Sequence, residues 1–184
     1  KLTLSTKGGK VYSVELKNYK RYDASKLFLI EGGKSEQSLN FFAQNRNIKT
    51  EDLYFKPLTS GNSLVVSGPA VPKGKEGRAK FNEVNRGESK ELTLRLEAGQ
   101  GHYIDYVYTI SYNSYVVGFD VRMSGMEKVI NTNTGYLDFN FNFDCPRQEK
   151  VSTYGEDRYS TIYYKFKDDE VYANPSDYYD QLIE

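Results

Sequence analysis

The sequence has very few of the side chains on which enzymes and metalloproteins depend. It contains one histidine, one cysteine and no tryptophan in 184 residues. The single His102 excludes a metal site built on two histidines and any mechanism that needs a histidine pair. The single Cys145 excludes an internal disulfide bond. We therefore expect a protein that is not an enzyme, with no catalytic residues, no metal site and no cofactor.

Net charge and long apolar runs are also missing. Lys and Arg together number 25, as do Asp and Glu, so no overall field attracts a polyanion and we expect no nucleic acid partner. No apolar run approaches the roughly 20 residues of a membrane helix, and no signal-peptide pattern is present. The sequence begins at Lys1 and enters a strand pattern at once, which predicts a part of a longer chain.

Aromatic residues that favour β-strands are abundant, with 17 Tyr and 10 Phe. The clearest strand patterns follow one another near the centre, over residues 91–97, 103–110 and 115–121. The connections at 98–101 and 111–114 have about four residues each, which is too short for a helical crossover. These three segments predict an antiparallel meander inside an all-β domain.

The flanking segments also have strand character. We predict a hairpin from residues 2–6 and 11–19, a strand at 27–30 that is buried on both faces, and shorter strands at 39–43, 54–55 and 64–66. Pro57 limits the strand at 54–55 to an edge or an end. Residues 67–80 are rich in Gly, Pro and charge, which predicts a surface loop.

The strictest alternation lies near the C-terminal end. Leu137, Phe139, Phe141 and Phe143 alternate with Asp and Asn, which predicts a strand with one face in the core. Burial of the four apolar side chains would contribute about 6 to 12 kcal/mol, and a slip of one residue would bury the polar set. A last long strand is predicted at 158–166.

The final residues change from strand to helix periodicity. Asn174 can cap a helix whose first position is Pro175, so we predict a short C-terminal helix over 174–184. Its apolar stripe is a candidate contact with a partner or with a membrane-proximal surface, and consists of Tyr178, Tyr179, Leu182 and Ile183. A helix of this length is marginal alone and must dock on something.

Single residues and short motifs that could carry chemistry all have simpler interpretations. His102 could be a lone general base, but a polar residue beside a turn is favoured, and Cys145 is favoured as an inert thiol over a nucleophile. Residues 32–35 end like a phosphate loop but lack its first glycine and its helix, and residues 99–101 fit a hairpin turn better than a dinucleotide site. A basic cluster is interpreted as a solvated loop rather than a phosphate site, and comprises Lys73, Lys75, Arg78 and Lys80. Some tyrosines could form a platform for a sugar or a peptide, but core and cross-strand packing is favoured for most.

Several long segments resemble one family. These are KLTLSTKGGKVYSVELKNY, FFAQNRNIKTEDLYFKP, LTLRLEAGQGHYIDYVYTI, CPRQEK and YSTIYYKFKDDEV. They resemble the large periplasmic domain of the YidC membrane protein insertase family, in its Bacteroidetes form. The resemblance implies a single periplasmic domain over residues 1–184, with the antiparallel β-supersandwich fold of galactose mutarotase-like proteins and a short C-terminal helix. The family's tryptophan-bearing segment after the helix is absent, so a final strand is expected to be missing.

The resemblance implies a location and partners as well. The domain is expected on the periplasmic side of the bacterial inner membrane, attached to a multi-pass protein whose intramembrane groove lies outside this chain. Expected partners are subunits of the Sec translocon and nascent membrane proteins. The favoured function is a non-catalytic domain that assists insertion and folding of inner-membrane proteins. A carbohydrate-binding module is the alternative, and an aldose epimerase is opposed by the single His102, since fold alone does not define function.

Overall fold

The computed structural model describes residues 1–32, 34–58, 64–65, 78–81, 89–131 and 137–150. In these ranges the regular structure consists of β-strands and two short 3₁₀ helices, Thr50–Asp52 and Met126–Lys128. The strands are β1 (Leu2–Ser5), β2 (Val11–Lys20), β3 (Lys26–Ile30), β4 (Ser35–Ala43), β5 (Arg46–Lys49), β6 (Lys56–Leu58), β7 (Leu64–Val65), β8 (Arg78–Phe81), β9 (Ser89–Gly99), β10 (His102–Ser111), β11 (Val117–Ser124) and β12 (Asp138–Phe143). The prediction of an all-β antiparallel fold is confirmed. The supersandwich arrangement stays a prediction.

The strands form three sheets. The first has the order β3-β2-β1-β8-β7, the second β11-β10-β9-β6, and the third β12-β4-β5. The predicted N-terminal hairpin is β1 and β2. The strand predicted at 54–55 lies elsewhere, since Tyr54 forms only an isolated bridge with Lys7 and the strand here is β6, which contains Pro57. Among the described strands β6 lies at a sheet edge, a position that suits proline because it cannot donate to a neighbouring strand.

The predicted central meander is the second sheet. Tyr106 is opposite Leu94 on one side and Val121 on the other, so the three side chains share one face. The 99–101 segment is a hairpin connection, with β9 ending at Gly99 and β10 beginning at His102. Strand β11 begins at Val117, two residues later than predicted, because residues 112–116 form the connecting loop.

The core draws side chains from all three sheets. Most of the buried apolar residues lie on four strands, β1, β4, β9 and β10. The cluster also contains three residues outside these strands, namely Phe55, Met126 and Ile130. In β9 the leucines alternate with polar residues, and Leu92 and Leu94 are buried. Full burial of such side chains contributes about 1.5 to 3 kcal/mol each.

A buried hydrogen-bond network crosses this core. Gln37 donates from Nε2 to the Tyr108 hydroxyl at 2.8 Å, and Tyr108 donates to the Gly9 carbonyl at 2.6 Å. Tyr106 bonds to the Thr50 hydroxyl at 2.9 Å, which also accepts from the Leu39 amide at 2.9 Å. Burial raises the pKa of both tyrosines. The two phenols of β10 therefore reach across the core and fix the other sheets.

Two strands differ from their predicted burial. Strand β3 was predicted to be buried on both faces, but among the described strands it lies at the edge of the first sheet, and Leu29 is 42% exposed. Strand β12 was predicted to bury its phenylalanine face, but Phe139, Phe141 and Phe143 are all exposed, Phe141 by 54%. The apolar face has the predicted orientation, because Phe139 lies opposite buried Leu39. Its burial is incomplete because β12 is also an edge strand, with β4 as its one neighbour among the described strands.

The described chain divides into two compact units. The first comprises Lys1–Tyr19 and Lys26–Pro146, and the second contains Lys20–Ser25 together with residues 147–150. Within the second unit, the Tyr22 amide donates to the Gln148 carbonyl at 3.2 Å. The prediction of a single domain over residues 1–184 stays a prediction.

Several predicted features lie outside the described residues. These are most of the 67–80 surface loop with Lys73 and Lys75, the strand at 158–166 and the helix at 174–184. The last residues of the predicted loop are an exception, since Arg78–Phe81 forms β8. That strand was missed because it pairs with β1, about 75 residues earlier in the chain, and this pairing has no local signal.

Candidate functional site

A groove lies in the first unit between the first sheet and the loop that joins β10 to β11. We call it the tyrosine groove, and its volume is about 520 Å³. Clefts of this volume are typical of sites for small ligands or short chain segments. Strands β2 and β3 form one wall, and the β10–β11 loop forms the other, with the following residues among its lining: Val14, Leu16, Tyr19, Leu29, Tyr112 and Tyr115.

The loop that forms one wall has a defined local structure. Asn113 has a left-handed backbone with φ of 54°, a conformation that asparagine adopts more readily than most residues. The Val116 amide donates to Ser114 Oγ at 3.1 Å, a short-range bond that stabilises the turn. This turn chemistry directs Tyr112 and Tyr115 outward, where both side chains are exposed.

A contact between two tyrosines joins the walls. The Tyr115 hydroxyl donates to the Tyr19 hydroxyl at 3.4 Å, and this bond raises the pKa of Tyr115. Both rings remain accessible to solvent. The groove therefore combines apolar ring faces with polar hydroxyls, a mixture suited to binding surfaces.

The described lining of the groove contains cations and no acid. Lys1 and Lys17 belong to the fifteen described lining residues, and none of those fifteen is Asp or Glu. The nearby Glu15 lies between Lys1 at 3.7 Å and Lys26 at 3.8 Å, and its own side chain is 13% exposed. Lys1, one of the two lining lysines, is therefore already paired with a carboxylate just outside the lining.

A second polar cluster lies at the other end of the central sheet. Arg95 donates two hydrogen bonds of 2.7 Å to the Asp105 carboxylate, and its guanidinium stacks 3.5 Å from the centre of the Tyr103 ring. The hydrogen bonds to Asp105 raise the pKa of Arg95. Because Asp105 is already engaged by both oxygens, this cluster is a structural ion pair with a cation–π contact.

The residues singled out for chemistry have structural surroundings. His102 lies at the start of β10 beside the hairpin turn, as favoured, and its Nδ1 is 2.7 Å from the Gly125 carbonyl oxygen. Cys145 is a free, exposed thiol. Ser35, at the end of the phosphate-loop resemblance, begins strand β4 rather than a helix, which excludes that motif. In the described ranges, no three His, Cys, Asp or Glu side chains come together in a way that could hold a metal ion.

Core and cross-strand packing was favoured for most of the tyrosines, and this stays a prediction because only nine of the 17 lie in the described ranges. Tyr106 and Tyr108 are buried, but five of the nine described tyrosines are exposed, namely Tyr19, Tyr22, Tyr54, Tyr112 and Tyr115. The exposed tyrosines of the β10–β11 loop could have been predicted from the sequence. Tyr112 and Tyr115 flank Asn113 and Ser114, which are typical residues of a surface turn. The predicted contact residues Tyr178, Tyr179, Leu182 and Ile183 lie outside the described residues.

Comparison with known proteins gives relatives of one kind. The chain is 31% identical over 173 residues to the membrane protein insertase YidC of Parabacteroides distasonis, 30% identical over 171 residues to that of Azobacteroides pseudotrichonymphae, and 29% identical over 170 residues to that of Bacteroides fragilis. Each match covers 92% of this chain but only 23% of the relative. No family model and no solved structure matches the chain.

These matches indicate an all-β chain that is similar to one segment of the membrane protein insertases. Within that class the chain belongs with the YidC insertases of Bacteroidetes, which confirms the resemblance found in the sequence. The chain spans about a quarter of the length of these relatives. Across the residues that the structure describes, no helix has the length and apolar character needed to cross a membrane.

Proposed function

We propose that this chain is a non-catalytic domain that assists the insertion and folding of inner-membrane proteins by contacting partner proteins or the segments being inserted. The tyrosine groove is the observation that carries the proposal. It exposes Leu29, Tyr19 and Tyr112 around one cleft, and exposed apolar clusters of this kind are typical of interaction surfaces. The names of the relatives supply the process, membrane protein insertion.

The location and the partners follow from the family resemblance as further parts of the proposal. The domain would lie on the periplasmic side of the bacterial inner membrane, attached to a multi-pass protein. Subunits of the Sec translocon and nascent membrane proteins would be its partners. The lack of catalysis is proposed because His102 is the only histidine in the sequence, so a mechanism that needs a histidine pair is excluded.

An insertion assay in cells tests the proposal. The double variant Tyr19→Ser/Tyr112→Ser removes two exposed rings from the groove, in a chain carried within the full-length insertase. We expect impaired insertion of substrate proteins at normal levels of the insertase. The matched control Tyr54→Ser removes an exposed ring outside the lining of the groove and should insert substrates normally. Normal insertion by a double variant that accumulates normally would refute the proposal.

The C-terminal segment is a second proposed contact. Tyr178, Tyr179, Leu182 and Ile183 form the apolar stripe of the predicted helix, and we propose that this stripe positions the domain for the insertase. Replacing Tyr179 and Leu182 with Ala should then impair insertion even when the protein accumulates normally. A stably accumulated double variant that inserts substrates normally would show that the stripe has no such role.

Carbohydrate binding is the alternative that a specific observation supports. The groove presents tyrosine rings beside the amide side chains of Asn18 and Asn113, and such rings and amides are chemically suited to the apolar faces and hydroxyls of a sugar. Titration of the purified chain with oligosaccharides from the bacterial envelope separates the two functions. Saturable binding that Tyr112→Ser abolishes would favour the carbohydrate-binding module.

A further inference from the structure

Two exposed phenols from distant parts of the chain meet across the tyrosine groove. The hydroxyl groups of Tyr19 and Tyr115 are 3.4 Å apart, although 96 residues separate the two tyrosines in the chain. Tyr19 belongs to strand β2 and Tyr115 to the β10–β11 loop, and both side chains line the groove. They expose 52% and 75% of their surface. A small oxidant can therefore reach both rings of a pair that is already in contact.

The local structure on both sides holds this pair in place. Tyr19 lies in strand β2, which spans ten residues, and the turn that carries Tyr115 has a left-handed backbone at Asn113. The Val116 amide stabilises the same turn by donating to Ser114 Oγ at 3.1 Å. The ring carbons that couple in tyrosine oxidation are next to the carbon that bears the hydroxyl, so contact between the hydroxyls also brings these carbons close together. Groups held together in this way react faster than groups that must first meet in solution.

Oxidation of two neighbouring phenols joins their rings. Each phenol first loses one electron and one proton and becomes a phenoxyl radical, whose unpaired electron is shared with the ring carbons beside the carbon that bears the oxygen. Two such radicals combine by forming a carbon–carbon bond between these ring carbons. The hydrogen atoms on the two coupled carbons then move to the oxygens, which restores both phenols. A haem peroxidase transfers the two electrons and two protons to hydrogen peroxide, which is reduced to two molecules of water.

We propose that Tyr19 and Tyr115 are a site of oxidative cross-linking, at which hydrogen peroxide and a haem peroxidase join strand β2 to the β10–β11 loop through a dityrosine bond. Tyr106 and Tyr108 are buried, so the oxidant does not reach them. The new bond would fix the loop that forms one wall of the groove against β2 in the other wall. The inference does not depend on what the groove binds, so its failure would leave the proposed function intact.

Treatment of the purified 184-residue chain with a haem peroxidase and hydrogen peroxide tests the site. All proteins carry Cys145→Ser, because the exposed Cys145 thiol would otherwise consume oxidant. We expect tandem mass spectrometry of a tryptic digest to find the Tyr19 and Tyr115 peptides joined with the loss of two hydrogen atoms. The yield of this product per chain should stay constant on about tenfold dilution, because the reaction occurs within one molecule. The cross-link should raise the melting temperature by about 5 to 15 °C, since it restricts the unfolded chain.

Two conservative variants identify the partner in the loop. Tyr115→Phe keeps an aromatic ring but lacks the phenol, so it should form none of this product and lack the rise in melting temperature after oxidation. Tyr112→Phe removes an exposed phenol of the same loop and should cross-link as the parent chain does. Absence of the product that joins Tyr19 to Tyr115, or a yield per chain that falls in proportion to dilution, would overturn the proposal. Equal cross-linking of Tyr19 in Tyr115→Phe would do the same, because another tyrosine would then be the partner.

Discussion

Gln37 and Tyr108 are 71 residues apart in the chain, and a buried hydrogen bond of 2.8 Å joins them across the core. The Tyr108 hydroxyl in turn donates a hydrogen bond to the Gly9 carbonyl, so one phenol connects strands β4 and β10 and the turn between β1 and β2. Buried polar groups that lose a partner cost more than the bond itself contributed. The Tyr108 hydroxyl therefore stabilises the fold, and its removal should measurably lower the free energy of unfolding.

Tyr108→Phe should lower the free energy of unfolding by about 1 to 3 kcal/mol, because it leaves Gln37 Nε2 and the Gly9 carbonyl without their buried partner. Urea denaturation followed by circular dichroism measures the change. Tyr54→Phe removes an exposed hydroxyl and should stay within about 0.5 kcal/mol of wild type. A loss in Tyr108→Phe no larger than in the control would refute the structural role of the network.

Alkaline pH should destabilise the fold through the two buried phenols. Burial raises the pKa of Tyr106 and of Tyr108 in the folded chain above the ordinary value. Their contribution is complete below about pH 10, the ordinary pKa of tyrosine, and it is lost as the pH rises further because the unfolded chain releases those protons first. Above about pH 10 the contribution of Tyr108 should fall by up to about 1.4 kcal/mol per pH unit, and Tyr106 should act in the same direction.

Tyr108→Phe provides the control for this pH dependence, since other groups also titrate in the alkaline range. Urea denaturation between about pH 9 and about pH 11.5 should give the same slope for both proteins below about pH 10 and a shallower slope for the variant above it, by up to about 1.4 kcal/mol per pH unit. Identical slopes for the two proteins would contradict the assignment of Tyr108 as a buried, protonated phenol.

Gly9→Ala should destabilise the fold more than Gly101→Ala. Both glycines have left-handed backbones, with φ of 63° and 77°, which costs a residue with a Cβ about 1 kcal/mol. A Cβ at Gly9 would also lie 2.9 Å from the Tyr106 ring and 3.1 Å from the Phe55 ring, whereas one at Gly101 would have no atom within 4 Å. The extra loss at Gly9, about 1 to 3 kcal/mol, should appear in thermal unfolding, and equal losses would contradict this packing.

A comparison of Leu94→Ala with Phe141→Ala tests the difference between a buried and an exposed apolar position on a strand. Leu94 is fully buried, so its truncation should cost about 2 to 5 kcal/mol. Phe141 is 54% exposed, so its truncation should cost less than about 1.5 kcal/mol. Chemical denaturation measures both, and a cost for Phe141→Ala that equals that of Leu94→Ala would show that the β12 face is buried after all.

The alternation of apolar residues predicted where the strands lie but not how deeply their side chains are buried. The period-two pattern correctly predicted that β12 is a strand. Its phenylalanine face is the one that lies beside buried Leu39. Alternation does not show whether a strand has neighbours on both sides, and β12 is an edge strand. The same limit explains β3, where an apolar run that suggested full burial belongs to a sheet edge.

The polar network and the groove were less predictable than the sheets. Gln37 is a polar residue in a strand, and its partner Tyr108 lies far away in the chain, so no local pattern indicates that it is buried. The exposed pair Tyr19 and Tyr115 likewise meets only after β2 and the β10–β11 loop come together. Family resemblance supplied the process, which neither composition nor strand periodicity could provide.

Site-specific photocrosslinking in living cells tests most directly whether the tyrosine groove contacts the machinery or the substrates of insertion. A photoreactive amino acid at Leu29, on the exposed wall of the groove, is compared with one at Tyr54, which is also exposed but lies outside the groove lining. Both positions are introduced into the chain within the full-length insertase. We expect Leu29 to form adducts with nascent membrane proteins or translocon subunits and Tyr54 to form none. Absence of adducts at Leu29, or equal adducts at the two positions, would contradict the account.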